Sequence, residues 1–289
     1  MAEDTRGLFI KTFLVIFILS LIVVHIPFLN LLAFLIWPLP VVYVILKQDT
    51  GMALKLILLS AIINSLFWGP FMGMVTIVGF GFVGFSLGSC LQAEFSPFKT
   101  LLFTIIAVII SQTLLTLITN NVLGLDFAYF LEEIEMIISQ TPEMAHLQDS
   151  IVEHLPMLIL LFPAIIICSS SIMGFLYYYI TVGYLSRRGF SLDLFTYPQF
   201  WSFPRIPVFL ILLLGTFFSQ SYIFMNLIFL AFFLLFLQGF AVGLFFTEEI
   251  LNNSFMKVLF IFLIFVFPLM FIILMVAGFL DMLVNFRKI

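Results

Sequence analysis

KTLLFTIIAVIISQTLLTLIT, residues 99–119, carries a single charge, and that charge, Lys99, stands at its start. A helix rises about 1.5 Å per residue, so roughly 20 apolar residues cross the ~30 Å hydrocarbon core of a bilayer. The stretch has that length and leaves no face for water. In lipid it needs none, because a helix satisfies its own backbone polar groups and apolar side chains need no partner.

The same signature recurs on both sides of it. Nine candidate spans can be drawn: 8–25, 29–46, 53–68, 71–92, 99–119, 155–184, 205–221, 223–246 and 256–280. Of the 289 residues 64% are hydrophobic and 9% charged, whereas a soluble domain carries about 25% charged residues. Too few charges remain to build a water-facing surface, and 40 Phe suit a lipid-facing one. The expected fold is therefore an all-α polytopic membrane protein of about nine transmembrane helices, or eight if one candidate is re-entrant. Glu3 and Asp4 precede the first apolar run and no small-residue cleavage site follows it. The first span is thus expected to be kept rather than removed as a secretory signal.

The breaks between spans have local causes. His25-Ile26-Pro27 and Trp68-Gly69-Pro70 stop helices, because the residue before proline is pushed out of α geometry. Lys47-Gln48-Asp49-Thr50-Gly51 is a polar turn, and Ser219-Gln220-Ser221 is a short break between spans seven and eight. With the N-terminus inside, Arg6, Lys11, Lys47, Lys55, Lys99, Arg187, Arg188, Arg205 and Lys257 fall on the cytoplasmic side, and Arg287 and Lys288 outside. The rule that basic residues stay inside then predicts a cytoplasmic N-terminus in a bacterial plasma membrane. The exception at the C-terminus would vanish with eight spans. Residues 120–153 form an outer loop with seven carboxylates and no Lys or Arg, patterned as two amphipathic helices.

No catalytic motif is present, and no enzyme is expected. Net charge is −4 without a basic run, so nucleic acid is not an expected partner. Cys90 and Cys168 sit in apolar runs without metal spacing, and no cofactor is expected. Glu143, His146 and Glu153 share a face of the outer loop and are the weak candidates for a cation site, against an ordinary solvated face. Polar groups within spans carry more weight, since lipid makes them costly. Asn64, Trp68, Gln112, Ser170 and Tyr178 are the candidate pocket residues for a small polar ligand, with interhelical hydrogen bonding as the plainer alternative. Asn226 and Gln238 belong to the same class of amide. No acidic or basic residue lies near a span centre, which argues against a proton relay. Gly69/Gly73, Gly84/Gly88 and Gly239/Gly243 are small-xxx-small pairs for helix packing or a partner face.

The order of several segments carries a family resemblance. "VVHIPFLNLL" ends the first span, "WPLPVVYVILKQDTGMALKLILLSAIINSLFWGP" and a glycine-rich fourth span follow, then "YLSRRGFSL", "FLQGFAVGLFF" and the terminal "GFLDMLVNFRKI". Over nearly the whole chain these resemble the YybS-like bacterial membrane proteins. Residues 1–185 are in turn similar to the substrate-binding S-components of energy-coupling-factor transporters. That resemblance implies a six-helix domain at 1–185, a cytoplasmic linker at 186–204 and additional helices at 205–289, with a pocket opening outward beneath 120–153. The first span departs from it, with bulky residues where S-components carry small ones spaced by four. Two functions stay open: a small-molecule-binding component of a transport system, or a non-transporting scaffold that assembles with another membrane protein.

Overall fold

Proline opens four of the helices. α2 (Pro27–Ile36), α3 (Pro38–Lys47), α5 (Pro70–Met74) and α7 (Pro97–Leu123) each begin on one, where its missing N–H costs nothing and its φ is already helical. They join α1 (Thr5–His25), α4 (Thr50–Trp68), α6 (Phe82–Gln92), α8 (Gln148–Arg187), α9 (Arg205–Phe217), α10 (Tyr222–Glu249), α11 (Ser254–Val266) and α12 (Leu269–Val284). The computed structural model describes residues 5–124, 132–133, 136–137, 140, 148–218, 221–249 and 254–287, and there is no strand among them. Most of the outer loop 120–153 lies outside the described residues.

Among the described residues seven helices are long and apolar enough to cross a membrane: α1, α2 with α3, α4, the run from α5 to α6, α7, α8 and α10. α11 and α12 make an eighth only as a pair, because the chain bends by 110° between them. Pro268 sits at that bend and has no N–H to continue the ladder. The expected continuous span at 256–280 is therefore broken. The expected span at 205–221 is α9, whose 13 residues reach about 20 Å at 1.5 Å each, short of a full crossing.

Contacts divide the described chain into two units, residues 1–136 with 169–195, and residues 137–168 with 196–289. The first half of α8 groups with the later helices. Asn226 on α10 supplies one reason. Its Nδ2 donates to the Leu160 carbonyl (2.7 Å) and its Oδ1 accepts from the Ala164 N–H (2.9 Å). Those two groups flank Pro163, where a helix is apt to open, and one carboxamide satisfies both.

In the first unit, Asp49 caps α4 by accepting from the Met52 N–H (2.7 Å). Between α5 and α6 a π-helical turn runs over Val75–Gly81. Its Phe80 stacks on the buried Trp37, with centroids 4.4 Å apart, at the break between α2 and α3. The core gathers Ile16, Val41, Ile45, Leu56 and Ile57 around that pair. A second cluster joins Val42 and Leu87 to Tyr178, Val182 and Leu185 of α8. Outward-facing positions are as apolar as the core: Leu66 is 77% exposed. Such a surface is stable only against lipid.

In the second unit α9 returns on α10, and Val208, Ala231, Leu235 and Met282 form the core with α12. α12 crosses α10 at backbone contact. A Cβ on Gly239 would strike the Leu274 carbonyl, and one on Gly278 the Leu235 carbonyl.

Candidate functional site

The basic residues of the first unit collect at one end of it. Arg6 and Lys11 are in the first two turns of α1, Lys47 ends α3, Lys55 is in the second turn of α4, Lys99 starts α7, Arg187 ends α8 and Arg188 follows it. Alternating helix direction brings these positions together. A cavity of about 280 Å³ opens there. Leu8, Lys11, Thr12 and Val15 line it from one face of α1, Leu39, Pro40 and Tyr43 from α3, and Tyr184 and Arg188 from the end of α8. Spacing of 3, 4 and 7 on α1 puts its four residues on one stripe. The Arg188 guanidinium lies over the Tyr184 ring at 5.2 Å, and Lys47 over Phe190 at 5.1 Å. The Lys47–Phe190 contact ties the loop after α8 to the end of α3. The lining offers two cations and three hydroxyls, and no carboxylate among the described residues. Chemically it suits an anionic group set against aliphatic walls.

None of the five expected pocket residues lines this cavity. Asn64 sits deeper, 1% exposed, where α1, α4 and the π-helical turn meet. Its Nδ2 donates to Ser20 Oγ (2.9 Å) and Thr76 Oγ1 (2.8 Å), and its buried Oδ1 has no partner. Trp68, one turn on, donates through Nε1 to His25 Nε2 (3.2 Å) at the far end of α4. Gln112 is half-buried on α7, and Ser170 is fully buried with Oγ unpartnered. The Tyr178 hydroxyl is engaged by backbone: it accepts from the Phe195 N–H (3.0 Å) and donates to the Asp193 carbonyl (3.2 Å). It ties the loop after α8 back along that helix. The structure thus brings Asn64 to Ser20 and Thr76, and keeps the five apart from the basic cavity.

The six glycines divide by role. Gly69 has φ +90°, ψ 163°, with open space where a Cβ would be. Only glycine adopts that backbone readily, so Gly69 serves the α4–α5 turn rather than packing. Gly73 meets the Ala61 carbonyl at 2.9 Å, Gly84 the Pro38 carbonyl at 2.9 Å, and Gly88 the Ile45 side chain at 2.7 Å from a would-be Cβ. Gly239 and Gly243 face Leu274 and Phe260. These five are all spent on packing inside the chain. Glu143 and His146, and the side chain of Glu153, lie outside the described residues. No group of three or more His, Cys, Asp or Glu is placed to hold a metal among those described.

One charged site escaped the sequence reading. Asp281 and Arg287 form an ion pair (2.9 Å) whose side chains are each 1% exposed. They stand beside Gln238 of α10. Asp281 Oδ2 accepts from Gln238 Nε2 (2.6 Å), Arg287 Nε (3.1 Å) and Arg287 Nη2 (2.9 Å). Arg287 also donates to the carbonyls of Gln199 (2.6 Å) and Trp201 (2.7 Å), and Gln238 Oε1 accepts from the Phe203 N–H (3.0 Å). α12 stops at Asn285, φ 53°, and the tail turns back to make these bonds. Asp281 Oδ1 stays buried without a partner. The segments "GFLDMLVNFRKI" and "FLQGFAVGLFF" contain all three side chains, but neither shows that a residue past the helix end folds back into it.

Compared with known protein families, residues 14–282 match the one described as "Predicted membrane protein (DUF2232)". The chain belongs to the DUF2232 family. The match covers both units, from the middle of α1 to Met282, so Asp281 and most of the cavity's lining fall within the family's sequence, while Leu8, Lys11 and Thr12 precede the match and Arg287 lies just beyond it. No functionally curated protein and no solved structure matches this DUF2232 chain.

Proposed function

We propose that this DUF2232 protein is a membrane-embedded small-molecule-binding component of a transport system, and not an enzyme, with its first unit as the binding module. The observation that carries this is the cavity lined by Lys11, Thr12, Tyr43, Tyr184 and Arg188. It couples polar recognition to an apolar wall, as ligand sites do. The S-component-like order of segments in residues 1–185 supports the same function. In this proposal the basic end of the first unit faces the cytoplasm of a bacterium and the 120–153 loop faces out.

The competing scaffold role drew on the glycine faces, on an absence of intramembrane charge and on the bulky first span. Gly73, Gly84, Gly88, Gly239 and Gly243 are occupied within the chain. The first of these supports is thereby weakened. The deciding measurement is native mass spectrometry of the protein taken from its own membrane. A stoichiometric small ligand or lipid is expected; a reproducible partner chain with no ligand would establish the scaffold role instead.

A further inference from the structure

We propose that the basic cavity holds the phosphate headgroup of an anionic membrane phospholipid, with its acyl chains leaving along α1 into the bilayer. This rests on the cavity being a ligand site, and it names the ligand's class and source. Three features select a lipid over a soluble anion.

The first is charge. Lys11 and Arg188 come from opposite ends of the first unit's sequence and meet at one opening, with the hydroxyl-bearing Tyr43 and Tyr184 beside them. A phosphodiester accepts hydrogen bonds from all four, and Arg can take it in a fork. The second is shape. At about 280 Å³ the cavity falls just below the roughly 300–1,000 Å³ of sites that enclose a drug-sized ligand. It fits a headgroup and leaves the rest of a phospholipid outside. Val15 provides the exit: it lines the cavity, yet is itself exposed and continuous with the exposed Leu14 and Ile18 on α1. A ligand bound there has one end among cations and the other on a lipid-facing stripe. The third is depth. The cavity lies at the end of the unit where its Lys and Arg gather, the level at which headgroups sit, and basic pockets between helices on the cytoplasmic side are suited to anionic lipid.

The test uses the full chain in nanodiscs of phosphatidylcholine doped with phosphatidylglycerol, followed by native mass spectrometry after detergent release. Phosphatidylglycerol should be retained in preference to phosphatidylcholine at a stoichiometry of one. Lys11→Gln with Arg188→Gln should weaken retention about 10- to 30-fold, from roughly a tenfold or smaller contribution per cation. Lys55→Gln, an exposed cation outside the cavity at the same end, should leave retention unchanged. Thermal unfolding of each variant checks that the fold persists. Retention that the double variant does not alter would overturn the assignment. Glycerol 3-phosphate binding at Lys11 and Arg188 without lipid preference would overturn the lipid source while sparing the binding role. Failure of both probes to bind would remove the cavity as a ligand site altogether.

Discussion

A buried carboxylate beside a buried guanidinium is worth little by itself, because desolvation offsets most of the attraction. Removing one partner is another matter, since it strands the other charge. Arg287→Met should therefore destabilise the protein by about 3–5 kcal/mol, and Asp281→Leu by a similar amount. The double variant should be much less destabilised than the sum of the two. Thermal unfolding in a mild detergent, read as a double-mutant cycle, checks this. Single-variant effects below about 1 kcal/mol would mean that the Asp281–Arg287 pair is open to water. The Gln199 and Trp201 carbonyls and the Phe203 N–H would also lose their partners if this node came apart. Three side chains thus fasten the tail and the 199–203 segment to the middle of α10. Asn226 does comparable work with one amide, bridging the Leu160 and Ala164 backbone groups on either side of Pro163. In a membrane such groups have no water to turn to.

Between elements, glycine sets how near two helices come. α12 lies against α10 with Gly278 on the Leu235 carbonyl and Gly239 on the Leu274 carbonyl. The obstacle to a side chain there is backbone, which cannot rotate away. Gly239→Val should separate the pair and cost at or above the roughly 3 kcal/mol upper end of ordinary overpacking. Gly183→Val, on α8 with open space around its Cβ position, should cost far less. Fluorescence-detected size exclusion after a heat step would rank the two, and equal loss from both would refute the close approach. Proline acts oppositely on the elements. At Pro27, Pro38, Pro70 and Pro97 it opens a helix without cost, whereas at Pro268 it coincides with the 110° bend that divides α11 from α12.

Across the whole molecule, charge asymmetry predicts sidedness. With Ala93→Cys on the basic end of the first unit and Asn121→Cys at the far end of α7, a membrane-impermeant maleimide should label only the second in intact cells. The reverse pattern would invert the proposed orientation. Cys90 and Cys168 are buried, so their background is small. Much of this molecule could be read without its tertiary structure. Lipid demands long uncharged helices, so composition and span length alone identify an all-α polytopic membrane protein. Prolines, polar turns and the Asp49 cap mark most helix starts, because those signals act within a few residues. The distribution of Lys and Arg singles out one end of the first unit for the same reason: it needs only the helix order. What the sequence left undecided depends on distant residues meeting. The basic cavity takes its walls from α1, α3 and the end of α8, and no local pattern relates Leu8 to Arg188. Gly69 and Gly73 look alike in sequence, yet one serves a turn and the other a contact with Ala61. Asp281 and Arg287 stand on either side of a helix end, and only the tail's return to α10 buries them as a pair. Local physics determined where helices begin and which solvent they face; packing decided which polar groups were left together once the lipid-facing surfaces had been assigned.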